Sequence, residues 1–483
     1  MHDNYYADQP LSIGNELHPL IDDALIEDRW NLPRVLAVPE KYLRNPVLMA
    51  DEPWEGDGVQ GATVLYDGGR YRMWYTADTN AAGQAVGMGR RVVSYAESKN
   101  GLHWTKPQLD VHTYAEFGKT NVVYGGSDGL SIGSHQVFID QQESNPDQRY
   151  KMITLDKGVR LATSPDGLHW RRDEQAILDF HSDCYNNVVY DPFRHRWILY
   201  GRPNFWFTIS GVRNSVRRSD GSMGNRHTRR KVFASTSTDL KQWSYPRTVM
   251  YPDERDFSDY DDCHVFRVGR TFVMLYSAMH DETGYANEVR LATSGDGLHW
   301  QRHHTREPFI PRGREGDWDA GMTYMTSEPV PRGDQALIYY TGAAKPQSQH
   351  SMMRGIGVTV TRPGRFVALQ AGNEPGYVVT REFKLEGNRL RVNLLYHSQP
   401  FKDHYLRAEF VHRPDTPHGH GGFNPALEGF GLGDCDPVNW VDSHQALVKW
   451  NGNPDLSKIT GQNVYLRFEV RNMSLFGFQI TKE

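Results

Sequence analysis

Cysteine is scarce in this chain. Cys184, Cys263 and Cys435 are the only three in 483 residues, too few for a disulfide framework and odd in number, so at least one thiol stays unpaired. Long apolar runs are missing too; no stretch approaches the ~20 apolar residues that a membrane-crossing helix needs. The amino terminus, MHDNYYADQPL, is polar and lacks the apolar core of a signal peptide. A cytoplasmic location is expected, or a periplasmic or secreted one if a signal peptide has been removed. No excess of one charge sign is present either. A formal charge of −5 spread over the whole chain points neither to nucleic acid nor to a membrane as partner, and it does not favour disorder. The glycines between Gly83 and Gly89 are not followed by Lys-Ser/Thr, which excludes a phosphate-binding P-loop.

What the chain has is aromatic side chains (12%), 45 glycines and 26 prolines, a mixture suited to short strands and tight turns. It also repeats. Four segments end alike: SYAESKNGLHW at Trp104, LATSPDGLHW at Trp170, ASTSTDLKQW at Trp243 and LATSGDGLHW at Trp300. Their spacing exceeds the ~40–50 residues of WD40 or kelch blades and suits four-stranded blades with longer loops. An inner strand recurs five times, as GATVLYDG, HQVFIDQ, NNVVYDP, CHVFRVG and GMTYMTS. A second strand follows each, as RYRMWYTA, RYKMITLD, HRWILYGR, TFVMLYSA and QALIYYTG. Alternating Val, Ile, Tyr and Phe between Gly or Asp turns favours strands over helices. The expected fold is all-β: a five-bladed β-propeller over residues 51–370, closed by GIGVTVTRPGRFVAL, and a C-terminal β-sandwich over 371–483. Residues 1–50 are expected to be a lead-in packed on the propeller. In the S-x-D-G-L-H-W corner, Ser and Asp-Gly make a tight turn and the Trp packs between neighbouring sheets.

On these corners and the PWEG…YRMWY opening, residues 20–370 resemble the five-bladed β-propeller glycoside hydrolase superfamily, which includes the invertase-like and arabinanase-like clans. The tail VKWNGNPDLSKITGQNVYLRFEVRNMSLFGFQI resembles the sandwich that follows such propellers. The resemblance implies cleavage of a glycosidic bond. The invertase-like W-x-N-D-P-N-G, R-D-P and E-C motifs are absent, which argues against fructan or sucrose cleavage. Sialidase Asp-boxes read S-x-D-x-G-x-T-W, whereas Gly follows Asp directly here.

Residues just before the inner strands, and loops after the second strands, converge at one mouth of a propeller. Carboxylates recur there. Glycoside hydrolysis needs two, one to protonate the leaving oxygen and one to attack the sugar or activate water. The candidate base or nucleophile is Glu55 or Asp57. Asp183 would orient substrate or stabilise positive charge, Asp261 or Asp262 would be the acid, and Asp319 is a reserve. His135 would act as acid or bond a hydroxyl. Trp54, Tyr260 and Trp318 would stack on sugar faces, and Arg202, His264, His280 and Glu288 complete the substrate-binding set. Each has a plainer role open to it, as a turn cap or as packing.

A basic stretch in the blade-three insertion (Arg213, Arg217, Arg218, Arg226, Arg229, Arg230, Lys231) is either a solvated loop or a contact for an anionic sugar. His418 and His420 form an H-x-H in a Gly-rich loop, too little for a metal site. No cofactor is required; a structural Ca²⁺ would suit the oxygen-rich mouths. The expected partner is an oligosaccharide or glycoside, and a homo-oligomer is compatible with the sequence. A phosphorylase or transglycosylase on the same fold, or a non-catalytic carbohydrate-binding propeller, are the competing functions.

Overall fold

The computed structural model describes the chain apart from residues 1–9, 57, 80–89, 126–131, 179, 181, 184, 204–215, 218–222, 225–229, 254, 258, 281–283, 350–352, 398–402 and 413–424, and the side chains of 216–217 and 223–224. Asp57, Cys184, the Gly83–Gly89 stretch, His418, His420 and most of the basic insertion therefore lie outside the described residues. The fold is all-β, and the one helical element among the described residues is a single 3₁₀ turn at Pro146–Gln148.

Among the described residues, antiparallel pairing groups the strands between Gly58 and Thr361, apart from two separate two-stranded pairs, into five sets, called blades one to five here in chain order. Blade one is Gly58–Asp67, Arg70–Asp78, Arg91–Ser98 and Val122–Tyr124; blade two is His135–Ile139, Tyr150–Leu155, Val159–Ser164 and Arg171–Arg172. Blade three is Asn187–Asp191, Arg196–Gly201, Val232–Ser237 and Arg247–Met250; blade four is Asp259–Val268, Thr271–His280, Ala286–Ser294 and Gln301–Arg302. Blade five opens with Met322–Tyr324 and Val330–Arg332, then Gln335–Ala343 and Arg354–Thr361. Single parallel bridges, Arg354 to Gly58 and Asn287 to Met322, join blade five to blades one and four.

The fourth strand of blade five is Glu40–Lys41, from the other end of the chain, which pairs with Val360 and Thr359. This corrects the expectation that GIGVTVTRPGRFVAL closes the blade. Arg354–Thr361 is the third strand, and Val367–Gln370 pairs instead with Arg34–Leu36 and Met473–Thr481. The lead-in is not confined to the propeller either. Leu11–Ser12, His18–Pro19, Ile26–Trp30 and Arg34–Leu36 are strands of two six-stranded sheets built with the C-terminal region. Those sheets enclose one core in which Leu394, Phe478, Phe468 and Leu406 are fully or almost fully buried beside Leu20 and Leu32. At ~1.5–3 kcal/mol for each large apolar side chain buried, this core holds the first strands firmly to the last.

Lys41 fastens the closing strand. Its ammonium lies 2.6 Å from the buried Asp319 carboxylate, which also accepts a 2.8 Å bond from the Tyr340 hydroxyl. Lys41→Met should therefore cost about 2–3 kcal/mol, less than the ~3–5 kcal/mol of a fully buried pair, because the lysine is partly solvated. Thermal unfolding reads this loss, and an unchanged melting temperature would count against the strap.

The repeated corners are turns, as expected. In blade two, Ser164 Oγ accepts from Gly167 N (2.9 Å) and Asp166 Oδ1 from the backbone of Leu168 and His169 (2.8 and 2.9 Å). Neighbouring blades grip them. Tyr339 OH donates to Gly101 O (2.6 Å), Trp74 Nε1 to Gly167 O (2.7 Å) and Tyr200 OH to Gly297 O (2.6 Å). The exception is internally consistent. Blade three has Leu240 where the others have Gly, held at φ 62°, and blade two faces it with apolar Ile153 in the same cluster. A hydrophobic contact there replaces the hydrogen bond.

Candidate functional site

Asp183 stands on the loop before the inner strand of blade three, where its N–H donates to Arg202 O (2.7 Å). Arg202 directly follows the second strand of the same blade. The Gly201 before it has no room for a side chain: a Cβ would meet Asn186 Oδ1 at 2.5 Å and the Phe233 ring at 2.8 Å. Asn186 and Ser182 lock the loop through a 2.7 Å hydrogen bond. In blade four the register between Tyr260 and Cys263 slips, so that Asp261 and Asp262 form a bulge, the device by which strands re-aim side chains near sites.

These elements bring Asp183, Arg202, Asp261 and Asp262 to one cavity of about 210 Å³, also lined by Gln60, Arg91, Tyr324, Met325 and Arg354. Arg202 spans two carboxylates, with Nη2 2.8 Å from Asp183 and Nη1 2.6 Å from Asp261. Asp261 also receives Arg230 Nη1 and Asn287 Nδ2, both at 3.0 Å. Although burial opposes ionisation, Arg202 and Arg230 hold the Asp261 carboxyl below its usual range. Asp262 is the opposite case. Both its oxygens are buried and make no hydrogen bond of good geometry among the described residues, with Ser277 and the Met325 backbone N–H approaching only weakly. Burial first, and then the negative charge of Asp261, push its pKa up to about 7. Two adjacent residues of one type are thus driven to opposite protonation states. Met325, a bulky residue at φ 48°, adds backbone strain of a kind that collects at functional sites.

Deeper among the inner strands, His135 bonds Thr76 Oγ1 (3.0 Å) and Tyr185 OH lies 3.4 Å from His264 Nδ1. Burial lowers the pKa of His135 to about 4 and that of His264 to about 3, so both are neutral imidazoles at pH 7, able to hydrogen-bond and unable to act as imidazolium acids.

The remaining candidates do not line this cavity. Glu55 is fully buried; it accepts from Tyr75 OH (2.5 Å), Lys106 (2.6 Å) and the backbone N–H groups of Asp51 and Glu52 (3.0 and 3.1 Å). Every strong acceptor position is occupied, so this carboxylate anchors the entry to blade one. Trp54 belongs to the same network through a 2.9 Å bond to Asn121 and packs on Phe117. Asp319 faces Lys41. Trp318 tilts against Tyr340 and over Gly342 and Gly357. Tyr260 is buried, bonding Asp256 (2.5 Å) and Arg302 (2.9 Å). Glu288 pairs with Arg290 at 3.0 Å, and His280 lies against Phe257. Among the described residues, no three His, Cys, Asp or Glu side chains are grouped to hold a metal ion, and no helix is long and apolar enough to cross a membrane.

Reading the sequence missed Gln60, Arg91, Tyr324 and Arg354. A signal for the two arginines was present: each opens the third strand of its blade, close to the position that singled out Glu288 in blade four.

No protein-family model matches the chain. Over 196 residues it is 27% identical to an uncharacterized protein, Rv1502, of Mycobacterium tuberculosis (strain ATCC 25618 / H37Rv), a match spanning 38% of this chain and 56% of the relative. The uncharacterized protein MT1551 of Mycobacterium tuberculosis (strain CDC 1551 / Oshkosh) matches over the same shares, also at 27% identity. The chain thus spans about half the length of the curated relatives it matches. Solved structures similar to it include one described as a glycoside hydrolase (16% identity, 68% of this chain and 93% of that one, TM-score 0.45). A thermostable family-43 glycoside hydrolase is similar at 15% identity, 63% and 89% coverage and TM-score 0.44. A structure described under the GH130 family of mannoside phosphorylases, which "contains glycoside hydrolases that target beta-1,2 mannosidic linkages in Candida mannan", is similar at 15% identity, 71% and 96% coverage and TM-score 0.43.

Proposed function

We propose that this chain is a glycoside hydrolase in which Asp262 is the general acid and Asp183 the second catalytic carboxyl group. The observation that carries this reading is the division of labour in the blade-four bulge. Asp262 is buried with no hydrogen bond of good geometry among the described residues and is disposed to stay protonated near neutral pH, while Asp261 beside it is held ionised by two guanidinium groups. A buried carboxyl without a well-formed hydrogen bond is costly to keep, and general-acid chemistry gives it a use. Asp262 would pass its proton to the glycosidic oxygen as the bond to the leaving group breaks. Asp183, partly open to the cavity and oriented by Arg202, would attack the anomeric carbon or take a proton from the attacking water. Asp261 is a positioning residue: it fixes Arg202 and Arg230, and its charge keeps the proton on Asp262. A cavity of about 210 Å³ suits a single sugar ring, so action at a chain end is proposed.

The test is a screen of aryl glycosides and of plant and algal oligosaccharides with the wild-type protein and Asp183→Asn. Turnover is expected on at least one glycan, with kcat/KM declining above pH ~7 as Asp262 loses its proton, and Asp183→Asn should lower it by about 10²-fold or more. Absence of turnover on every glycan would overturn the hydrolase reading.

A further inference from the structure

Two arginines that line the same cavity, Arg91 and Arg354, share one paired carboxylate among the described residues. Arg91 opens the third strand of blade one and Arg354 the third strand of blade five. They meet because Arg354 is bridged to Gly58, and Gly58 and Arg91 both pair with Asp78. The seam is tight: at Gly58, where φ is 141°, a Cβ would lie 2.7 Å from Arg354 N. Among the described residues Asp78 is the one carboxylate paired with both guanidinium groups, at 3.5 Å from Arg91 and 3.6 Å from Arg354, beyond the ~2.7–3.2 Å of an N–H···O hydrogen bond, and Asp261 acts on Arg354 more weakly from further away. Both Nε atoms are buried without a hydrogen-bond partner among the described residues. Beyond Asp78, Arg354 has the neutral Tyr324 phenol beside it. Arg202 and Arg230, by contrast, engage Asp183 and Asp261 at 2.6–3.0 Å. The two pairs therefore differ in kind. One is a closed ion network; the other is two guanidinium groups lining the cavity with no carboxylate within close hydrogen-bond range among the described residues.

A neutral sugar hydroxyl gives such a pair little to bind. A planar or tetrahedral oxyanion matches the guanidinium fork through paired N–H···O bonds. We propose that Arg91 and Arg354 form a subsite for an acidic group carried by the sugar itself, a uronate carboxylate or a sulfate ester, and that the substrate is an acidic glycan. This rests on the hydrolase reading for the fate of the glycan, although the binding it asserts can be measured without turnover.

The experiment uses the full chain, with Asp262→Asn as a non-hydrolysing form for calorimetric titration. Three oligosaccharides of equal length are compared, one with uronate, one sulfated and one neutral. At least one acidic ligand should bind tenfold or more tighter than the neutral one, and the preference should weaken with added salt. In Arg91→Gln and Arg354→Gln it should fall to threefold or less, while Arg91→Lys keeps part of it; circular dichroism and melting curves confirm that these variants are folded. Equal binding of acidic and neutral ligands, or a preference that survives both Gln substitutions, overturns the proposal. A misfolded Gln variant leaves the decision to Arg91→Lys and to the wild-type preference. Turnover that requires inorganic phosphate assigns the arginines to free phosphate and also overturns it. Arginine-dependent binding of acidic glycans without cleavage of any glycan by the wild-type protein would sink the hydrolase reading and leave this one standing; cleavage of neutral glycans alone does the reverse.

Discussion

Asp262→Asn is expected to lower turnover by about 10²–10⁴-fold, the usual contribution of a positioned general acid, and at the same time to make the protein more stable above neutral pH. The two effects share one cause. The carboxyl has a folded-state pKa raised to about 7 from the ordinary 3.8, so the folded chain holds a proton that the unfolded chain has released. Stability falls as pH rises through that window and the whole penalty is present above it. A shift of this size corresponds to at most about 4 kcal/mol. Asparagine removes the titration but leaves a buried amide, at a cost of about 1–3 kcal/mol, so a net gain of about 1–3 kcal/mol at pH 8 is expected. Below pH 4 the gain should vanish. Denaturant titrations at pH 4 and pH 8, alongside kcat, measure both halves. A variant that loses activity and is also less stable at pH 8 would make Asp262 structural.

Arg202→Met should have the largest effect on stability. It leaves Asp261 buried with one fewer cation and frees Asp183, and removing one partner of a buried pair costs about 3–5 kcal/mol. In the wild-type protein the lowered pKa of Asp261 gives stability that is present above pH ~4 and lost as pH falls. The gap between variant and wild type should therefore be widest at pH 7 and narrow towards pH 3. A second signature separates the roles in catalysis. Arg202 also draws the pKa of Asp262 downward, so the alkaline limb of the remaining activity should move to higher pH. An unmoved limb would mean that Asp262 is not the group titrating there.

The fold was legible because its signals are local. The Ser and the Asp or Asn of each corner cap backbone N–H groups within three residues, and such bonds leave a fixed spacing in the sequence. The closing strand was not legible, because Glu40–Lys41 is too short for a periodic pattern and its partner lies over 300 residues away. The site divides in the same way. Asp183, Arg202, Asp261 and Asp262 stand where propeller geometry puts residues at the mouth, and all four reach the cavity. Glu55 occupies an equally promising position, yet Tyr75 from the second strand and Lys106 from a loop after the third arrive to saturate it. No pattern around Glu55 announces either. The bulge that aims Asp261 and Asp262 depends on pairing with the next strand and is equally silent in the sequence.

The woven amino terminus has a consequence for how the chain reaches this state. Residues 11–36 are strands of the C-terminal sheets, and residues 40–41 complete the last blade. Neither unit is whole until residues 11–41 have met strands more than 300 residues further along the chain, so the earlier segment waits for the later one before it is paired. Contacts of such long sequence separation slow folding. A cut at the apparent boundary near Gln370 would release two incomplete pieces, not two domains.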